Sequence, residues 1–183
     1  MSRVSKLIFS WGGNPGVGSL YRFRDAIEKG WPAALDIEEH SHADIANAYV
    51  AGASGLPFAI MRGYIGCDLP TVNPVIKLIT CPFTGEQLAA VPAIRPDVTV
   101  IHAQQADRRG NVMMWGITGV QKEAVLAAKR VIVTVEEIVE SFELKLNSIS
   151  FWAEHVKLYF VQCHKVPEGL TNLWRNFWPL RDR

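Results

Sequence analysis

Residues 91–116, VPAIRPDVTVIHAQQADRRGNVMMWG, decide the fold because they hold a clear strand, a sharp loop and a second apolar segment in one run. Pro96 breaks the preceding segment, and residues 98–101, VTVI, are β-branched throughout. A short run that is apolar on both faces is typical of a strand in the middle of a sheet covered on both sides. We therefore predict that residues 98–101 form a central strand.

The chain turns polar directly after this strand. Gln104 and Gln105 are followed by residues 107–111, DRRGN, in which Gly110 and Asn111 favour the positive φ of a tight turn. Open α/β folds place their ligands at the carboxyl ends of parallel strands. The two glutamines therefore either face a ligand or only cap exposed backbone at the strand end.

The composition is that of an ordinary globular protein, with 183 residues of which 49% are hydrophobic and 20% charged, and a formal net charge of +1. A charge near zero without a basic stripe argues against nucleic acid and anionic membranes as partners. No apolar run is long enough to cross a bilayer, and the first residues lack a signal-peptide core. We therefore predict a cytoplasmic protein with no nucleic-acid partner and no membrane partner.

A glycine-rich loop, WGGNPGVGS at residues 11–19, follows a predicted short strand at residues 6–10. The loop meets neither nucleotide signature, because no Lys-Ser or Lys-Thr follows its last glycine and the G-x-G-x-x-G spacing is absent. Ser19 is suited to cap the helix that follows. A glycine turn before a helix presents backbone N–H groups to an anion or a thioester oxygen. The loop is therefore either a structural turn or a ligand loop.

The densest group of ionisable side chains is EEHSH at residues 38–42, after a predicted strand at residues 34–38. Its two carboxylates and two imidazoles suggest a metal site or an acid–base pair, but no other cluster offers a third ligand, and no C-x-x-C pair is present. Ser41 with Asp44 forms a capping box that opens a helix at residues 43–54. Glu38, Glu39 and His40 are then expected in a loop that borders an active site or serves only the turn.

The remaining segments complete an α/β pattern. Strands are predicted at residues 56–61, 76–80 and 130–135, an antiparallel return at 87–93, a loop at 62–74, and helices at 121–128 and from 136 onward. Strands that alternate with helices at this spacing predict an α/β sandwich, with a mainly parallel sheet flanked by helices.

Four long runs resemble the alpha (A) subunits of family I CoA-transferases, the family that includes the 3-oxoadipate and glutaconate enzymes. The runs are SWGGNPGVGSLYRFRDAIEKGWP, EEHSHADIANAYVAGASGLPF, CPFTGEQLAAVPAIRPDVTVIHAQQADRRGNVMMWGI and VQKEAVLAAKRVIVTVEEIV. The resemblance covers residues 3–140 and implies the α/β fold of that family. Family members usually carry a further N-terminal segment before the position of Met1, so the resemblance leads us to expect that this chain lacks that segment. We predict a partial alpha-subunit domain at residues 1–140 and a divergent aromatic-rich tail at 141–183.

The resemblance implies a subunit of a heteromeric enzyme that moves CoA from succinyl-CoA to 3-oxoadipate during the degradation of aromatic compounds. The reaction is ping-pong, because a glutamate attacks the acyl-CoA thioester and carries CoA as an enzyme-bound thioester. In the family that glutamate belongs to the B (beta) subunit, so no catalytic residue is expected on this chain. CoA thioesters are substrates, no cofactor or metal is expected, and the expected partner is a B subunit in a heterodimer or heterotetramer.

The resemblance further implies that the alpha subunit helps to form the active site at the subunit interface. The positions it indicates are Asn14, Gly16 and Ser19 in the glycine-rich loop, with Glu39 and Ser41 before the second helix. Backbone N–H groups at residues 16–18 are suited to polarise an acyl carbonyl, as an oxyanion hole does.

Three alternatives stay open. A CoA-dependent hydrolase of the same fold, which opens rings in steroid catabolism, would make Glu38 or Glu39 central. A ligand-sensing or scaffold protein is the second alternative, although no helix-turn-helix precedes the domain. The third is a truncated and inactive gene remnant, because losing a strand can exceed the whole margin of stability.

Overall fold

The computed structural model describes residues 4–13, 20–141, 148–151 and 157–162. The chain divides into two compact units, Met1–Arg95 and Pro96–Arg183. Each unit has its own hydrophobic core.

The first unit combines a two-stranded parallel sheet with a three-stranded antiparallel sheet. In chain order its elements are β1 (Lys6–Phe9), α1 (Tyr21–Glu28), β2 (Asp36–Glu39), α2 (His42–Ala53), β3 (Phe58–Met61), α3 (Leu69–Val72), β4 (Lys77–Thr80) and β5 (Gln87–Pro92). Strands β1 and β2 pair in parallel over their whole length, so that both end at the same edge. Strand β5 lies between β3 and β4 and pairs antiparallel with both.

The core of the first unit forms where α2 packs on β3 and β5. Ala48 and Ala51 lie one turn apart on α2 and meet Ala59 of β3 and Ala89 of β5. Alanines on both surfaces let the helix approach the sheet closely, since little side-chain volume separates them. The amide of Ile94 also donates to the carbonyl of Ala48 at 3.0 Å. These contacts fix α2, and with it the position where the helix begins.

The second unit is built on one five-stranded sheet with the strand order β10-β8-β6-β7-β9. Its elements are β6 (Thr99–Asp107), β7 (Val112–Trp115), α4 (Gln121–Ala127), β8 (Arg130–Val139), β9 (Ser148–Phe151) and β10 (Lys157–Gln162). Strands β6 and β10 both run parallel to β8, whereas β7 pairs antiparallel with β6 and with β9. Alternate valines of β8 fill the core, since Val131, Val133 and Val135 are all fully buried.

The central strand predicted at residues 98–101 is confirmed in place but is longer than predicted. Strand β6 continues to Asp107, because its ladder with β8 extends to the pair of Asp107 and Val139. Gln104 and Gln105 therefore lie within the strand and not after it. The strand is also not covered on both faces, since Val100 is 64% exposed in this chain.

The helix predicted from residue 136 onward is wrong. Residues 137–139 continue β8 and pair with residues 105–107 of β6. Pairing with a neighbouring strand outweighs the helical preference of Glu136 and Glu137, because strand preference depends strongly on context.

The α/β class is confirmed, with parallel and antiparallel pairing both present. The loop predicted at residues 62–74 contains the short helix α3, and the antiparallel return predicted at residues 87–93 is confirmed as β5, which pairs with β4. Strands β9 and β10 lie beyond residue 140 and pair with β7 and β8. The domain boundary predicted at residue 140 stays a prediction.

Candidate functional site

The two loops singled out from the sequence begin side by side. Phe9, the last residue of β1, pairs with Glu39, the last residue of β2. The amide of His40 donates to the carbonyl of Phe9 at 2.9 Å and extends this pairing by one step. The glycine-rich loop and the β2–α2 junction, residues 39–41, therefore start at the carboxyl edge of one parallel strand pair, where α/β folds place ligands.

The predicted site residues divide between described and undescribed positions. Asn14, Gly16 and Ser19 lie outside the described residues, so their roles stay predictions. The cap predicted from Ser19 lies there too, and α1 begins after Leu20, whose side chain makes no capping hydrogen bond. Glu39 and Ser41 both lie in the β2–α2 junction.

Ser41 caps α2 as predicted. The amide of Asp44 donates to Ser41 Oγ at 3.2 Å, and the Ser41 hydroxyl donates to Asp44 Oδ2. Asp44 is only 1% exposed, and its Oδ1 has no hydrogen-bond partner among the described residues. The Ser41 side chain therefore caps α2, and its predicted place in the substrate site stays a prediction.

Glu38 is a half-buried carboxylate with two partners. Its Oε1 accepts from His40 Nε2 at 2.9 Å, and its Oε2 accepts from Lys6 Nζ at 2.6 Å. Burial acts to raise the pKa of Glu38, but the bonds from Lys6 and His40 outweigh it and lower the pKa below its usual value. Both oxygens are thus engaged, and the ionised form is the stable one.

Glu39 differs from its neighbour because successive side chains of a strand point to opposite faces. Glu38 is half-buried, whereas Glu39 is exposed. The prediction that both lie in a loop is wrong, since both end β2 by pairing with Ile8 and Phe9 of β1. Of these two carboxylates, Glu39 is the one able to face a ligand.

The sequence analysis did not identify Tyr64 as a residue of the site. It is 3% exposed, and its hydroxyl oxygen accepts from the amide of Ser41 at 3.0 Å and lies 3.4 Å from His40 Nδ1. Burial raises the pKa of Tyr64, and the nearby Asp44 carboxylate raises it further, so Tyr64 is neutral. A single tyrosine in an irregular loop carries no pattern that would have identified it.

The sequence analysis did not identify Asn73 as a residue of the site either. It is 6% exposed, its Nδ2 donates to the carbonyl of Glu39 at 2.8 Å, and its Oδ1 accepts from the amide of Val75 at 3.0 Å. A buried asparagine with both ends of its amide engaged fixes the backbone groups that it contacts.

At the end of β6 in the second unit, Gln104 and Asp107 both bind backbone groups. The side-chain amide of Gln104 binds the backbone of Trp115 in β7 twice: Nε2 donates to the Trp115 carbonyl at 3.3 Å, and Oε1 accepts from the Trp115 amide at 3.2 Å. The carboxylate of Asp107 accepts from the amides of Arg109 and Asn111 and from the Asn111 side chain. Gly110 takes the predicted positive φ, at +95°. For Gln104, capping of backbone groups is therefore the interpretation that the structure supports.

Metal ligands and membrane-spanning helices are both missing from the described part of the chain. No group of three or more His, Cys, Asp or Glu side chains in the described ranges is arranged to hold a metal ion. No described helix has the length and apolar character needed to cross a membrane.

Comparison with known proteins identifies the family. The family model for coenzyme A transferases matches residues 2–163, which extends the predicted resemblance past residue 140. The A subunit of the 3-oxoadipate CoA-transferase of Pseudomonas knackmussii is 74% identical over 150 residues, which cover 81% of this chain and 53% of that protein.

Solved structures agree with this result. The glutaconate coenzyme A-transferase of Acidaminococcus fermentans superposes with a TM-score of 0.68 at 34% identity, covering 75% of this chain and 48% of that one. A variant of the AibA/AibB decarboxylase gives a TM-score of 0.71 at 28% identity, covering 87% of this chain and 58% of that one. This chain spans about half the length of the curated 3-oxoadipate and glutaconate relatives that it matches. Because the family match takes in most of its residues, the chain belongs to the coenzyme A transferase family.

Proposed function

We propose that this chain is the A subunit of a heteromeric CoA-transferase that moves CoA from succinyl-CoA to 3-oxoadipate in the degradation of aromatic compounds. The observation that carries the proposal is the 74% identity over 150 residues to the A subunit of a 3-oxoadipate CoA-transferase. In this proposal CoA thioesters are substrates, the protein needs no cofactor of its own, and a B subunit completes a heterodimer or heterotetramer.

The proposed chemistry is a ping-pong transfer whose nucleophilic glutamate lies on the B subunit. A carboxylate nucleophile needs a free oxygen that can reach the thioester carbon. On this chain Glu38 is bonded through both oxygens, and Asp44 is buried. These two side chains are therefore poorly suited to the covalent step, which supports a nucleophile on the partner.

The proposed contribution of this chain is to form one wall of the substrate site. The glycine-rich loop with Asn14, Gly16 and Ser19 leaves β1 beside the β2–α2 junction with Glu39 and Ser41. In this proposal backbone N–H groups of the loop contact the acyl oxygen, and the exposed Glu39 carboxylate helps to orient the substrate.

A reconstituted complex tests the proposal. The full chain is co-expressed with a B subunit, and formation of 3-oxoadipyl-CoA from succinyl-CoA is measured. We expect transfer that needs both chains, with a modest loss in Glu39→Gln and none in Glu136→Gln, a matched control at an exposed glutamate of β8. Borohydride trapping of the enzyme-bound thioester should label the B chain alone.

Three results would contradict the proposal. Label on this chain would move the nucleophile to it. Consumption of acyl-CoA without an acceptor acid would favour a hydrolase. A complex that binds both substrates but transfers no CoA would reject the transferase function.

A further inference from the structure

We infer that Tyr64 and Asn73 are positioning residues, which hold the β2–α2 junction so that the Glu39 carboxylate faces the substrate. The inference rests on the proposed function, because it assigns these two residues to the substrate site proposed above.

Every residue of the junction has its backbone held by another segment. The carbonyl of Glu39 accepts from Asn73, the amide of His40 donates to Phe9, and the amide of Ser41 donates to Tyr64, all within 2.8–3.0 Å. One partner belongs to β1, and the other two belong to the connection between β3 and β4. Three consecutive fixed residues leave the junction little freedom to shift.

The two residues from this connection are themselves well anchored. Tyr64 belongs to the hydrophobic core of the first unit, beside residues such as Ala48 and Val91. The amide of Asn73 donates to the carbonyl of Leu69 at 2.9 Å, and its side-chain oxygen holds Val75. Both side chains therefore fix the position of the junction relative to the core.

The hydrogen bonds around Tyr64 have a consistent direction. Because Glu38 is an acceptor, His40 Nε2 donates to it, and a neutral His40 then leaves Nδ1 as an acceptor. The Tyr64 hydroxyl accepts from the amide of Ser41 at 3.0 Å and lies 3.4 Å from His40 Nδ1, and the Asp44 carboxylate is also close enough to raise its pKa. A phenylalanine at position 64 would keep the ring and lose both of these bonds.

The geometry explains why loss of the Tyr64 or Asn73 contact should act through Glu39. Its carbonyl is fixed by Asn73 while its carboxylate is exposed, so the direction of the carboxylate depends on the held backbone. A misplacement of about 1 Å can cost on the order of 100-fold in rate. Loss of one of the three backbone contacts should cost less, about threefold in kcat, because an effect that acts through Glu39 cannot exceed the modest loss expected for Glu39→Gln itself.

The test combines two variants with a double-mutant cycle in the reconstituted complex. Tyr64→Phe removes one hydroxyl, and Asn73→Asp replaces the donating amide with an acceptor of the same shape. We expect each variant to lower kcat about threefold with little change in KM. In a Glu39→Gln background, neither variant should lower kcat further. Tyr49→Phe, eight residues or about 12 Å along α2 from Ser41, is the matched control and should leave kcat unchanged.

A purely structural role gives a different result. Partial unfolding would lower activity by the same factor with or without Glu39, so equal factors in both backgrounds would overturn the inference. If Glu39→Gln alone has no effect on turnover, the assignment of Glu39 to the substrate site fails, and the inference fails with it.

Hydrogen exchange gives a readout that needs no activity. The Ser41 amide should exchange at least about tenfold faster in Tyr64→Phe than in the wild type, because its acceptor is gone. Unchanged exchange at Ser41 would overturn the inference even if CoA transfer is observed. Faster exchange in a complex without transfer would leave the positioning contact standing and reject only the proposed function.

Discussion

Replacing Ser41 with alanine tests the cap of α2 at the centre of the candidate site. The change removes the acceptor of the Asp44 amide, and loss of an N-cap costs about 0.5–2 kcal/mol. It also removes the hydroxyl that donates to a carboxylate only 1% exposed, and a hydrogen bond to a charged group contributes about 1.5–3 kcal/mol. Together these terms predict a loss of about 2–5 kcal/mol in the free energy of unfolding.

The loss is measured by urea unfolding of the full chain and by hydrogen exchange of the α2 amides. Since 1.4 kcal/mol is a factor of ten, the lower bound corresponds to roughly 30-fold faster exchange. Ser41→Thr keeps the hydroxyl and is the matched control. In the Ser41→Ala background, Asp44→Asn should recover part of the loss, because it removes the buried charge that lacks its donor.

Two results would refute this reasoning. A loss below about 0.5 kcal/mol in Ser41→Ala would place it within the range of ordinary surface substitutions and show that the cap contributes little. A further loss on adding Asp44→Asn would show that the charge of Asp44 is stabilised by something other than Ser41.

Three further predictions concern stability. Because folding lowers the pKa of Glu38, its carboxylate stabilises the fold at pH values above its ordinary pKa of 4.5, and this stabilisation is lost as pH falls through the folded pKa. In Glu38→Gln, urea unfolding at a series of acid pH values should therefore show a shallower decline in stability. Because the pKa of Tyr64 is raised, stability should fall as pH rises above the ordinary value of 10.0, and Tyr64→Phe should remove that fall. Met114→Ala in the core of the second unit should cost about 2–5 kcal/mol by urea unfolding and Met114→Leu less than about 1.5, whereas equal costs would contradict tight packing there.

Local patterns in the sequence predicted the elements that depend on local interactions. The Ser41 cap of α2, the turn at Gly110 and the β-branched run of β6 all act within a few residues, and the structure confirms each of them. The other half of the predicted capping box does not form, because the amide of Ser41 donates to Tyr64 and not to Asp44. The family resemblance also placed the fold class correctly.

The patterns failed where distant segments decide the outcome. The end of β8 is a strand because β6 lies beside it, and Gln104 belongs to a strand for the same reason. Tyr64 and Asn73 reach the junction across 23 and 34 residues of sequence, and no local pattern records such a contact. For residues 14–19, the structure adds nothing to the sequence-based prediction.

The strand pairing of the first unit also bears on how the chain folds during synthesis. All described pairings among β1–β5 join residues that precede Pro96, and both contacts to the junction lie within the same stretch. Domains generally fold as units, with the N-terminal one first as the chain emerges from the ribosome. The β2–α2 junction can therefore acquire its fixed backbone while the second unit is still being translated.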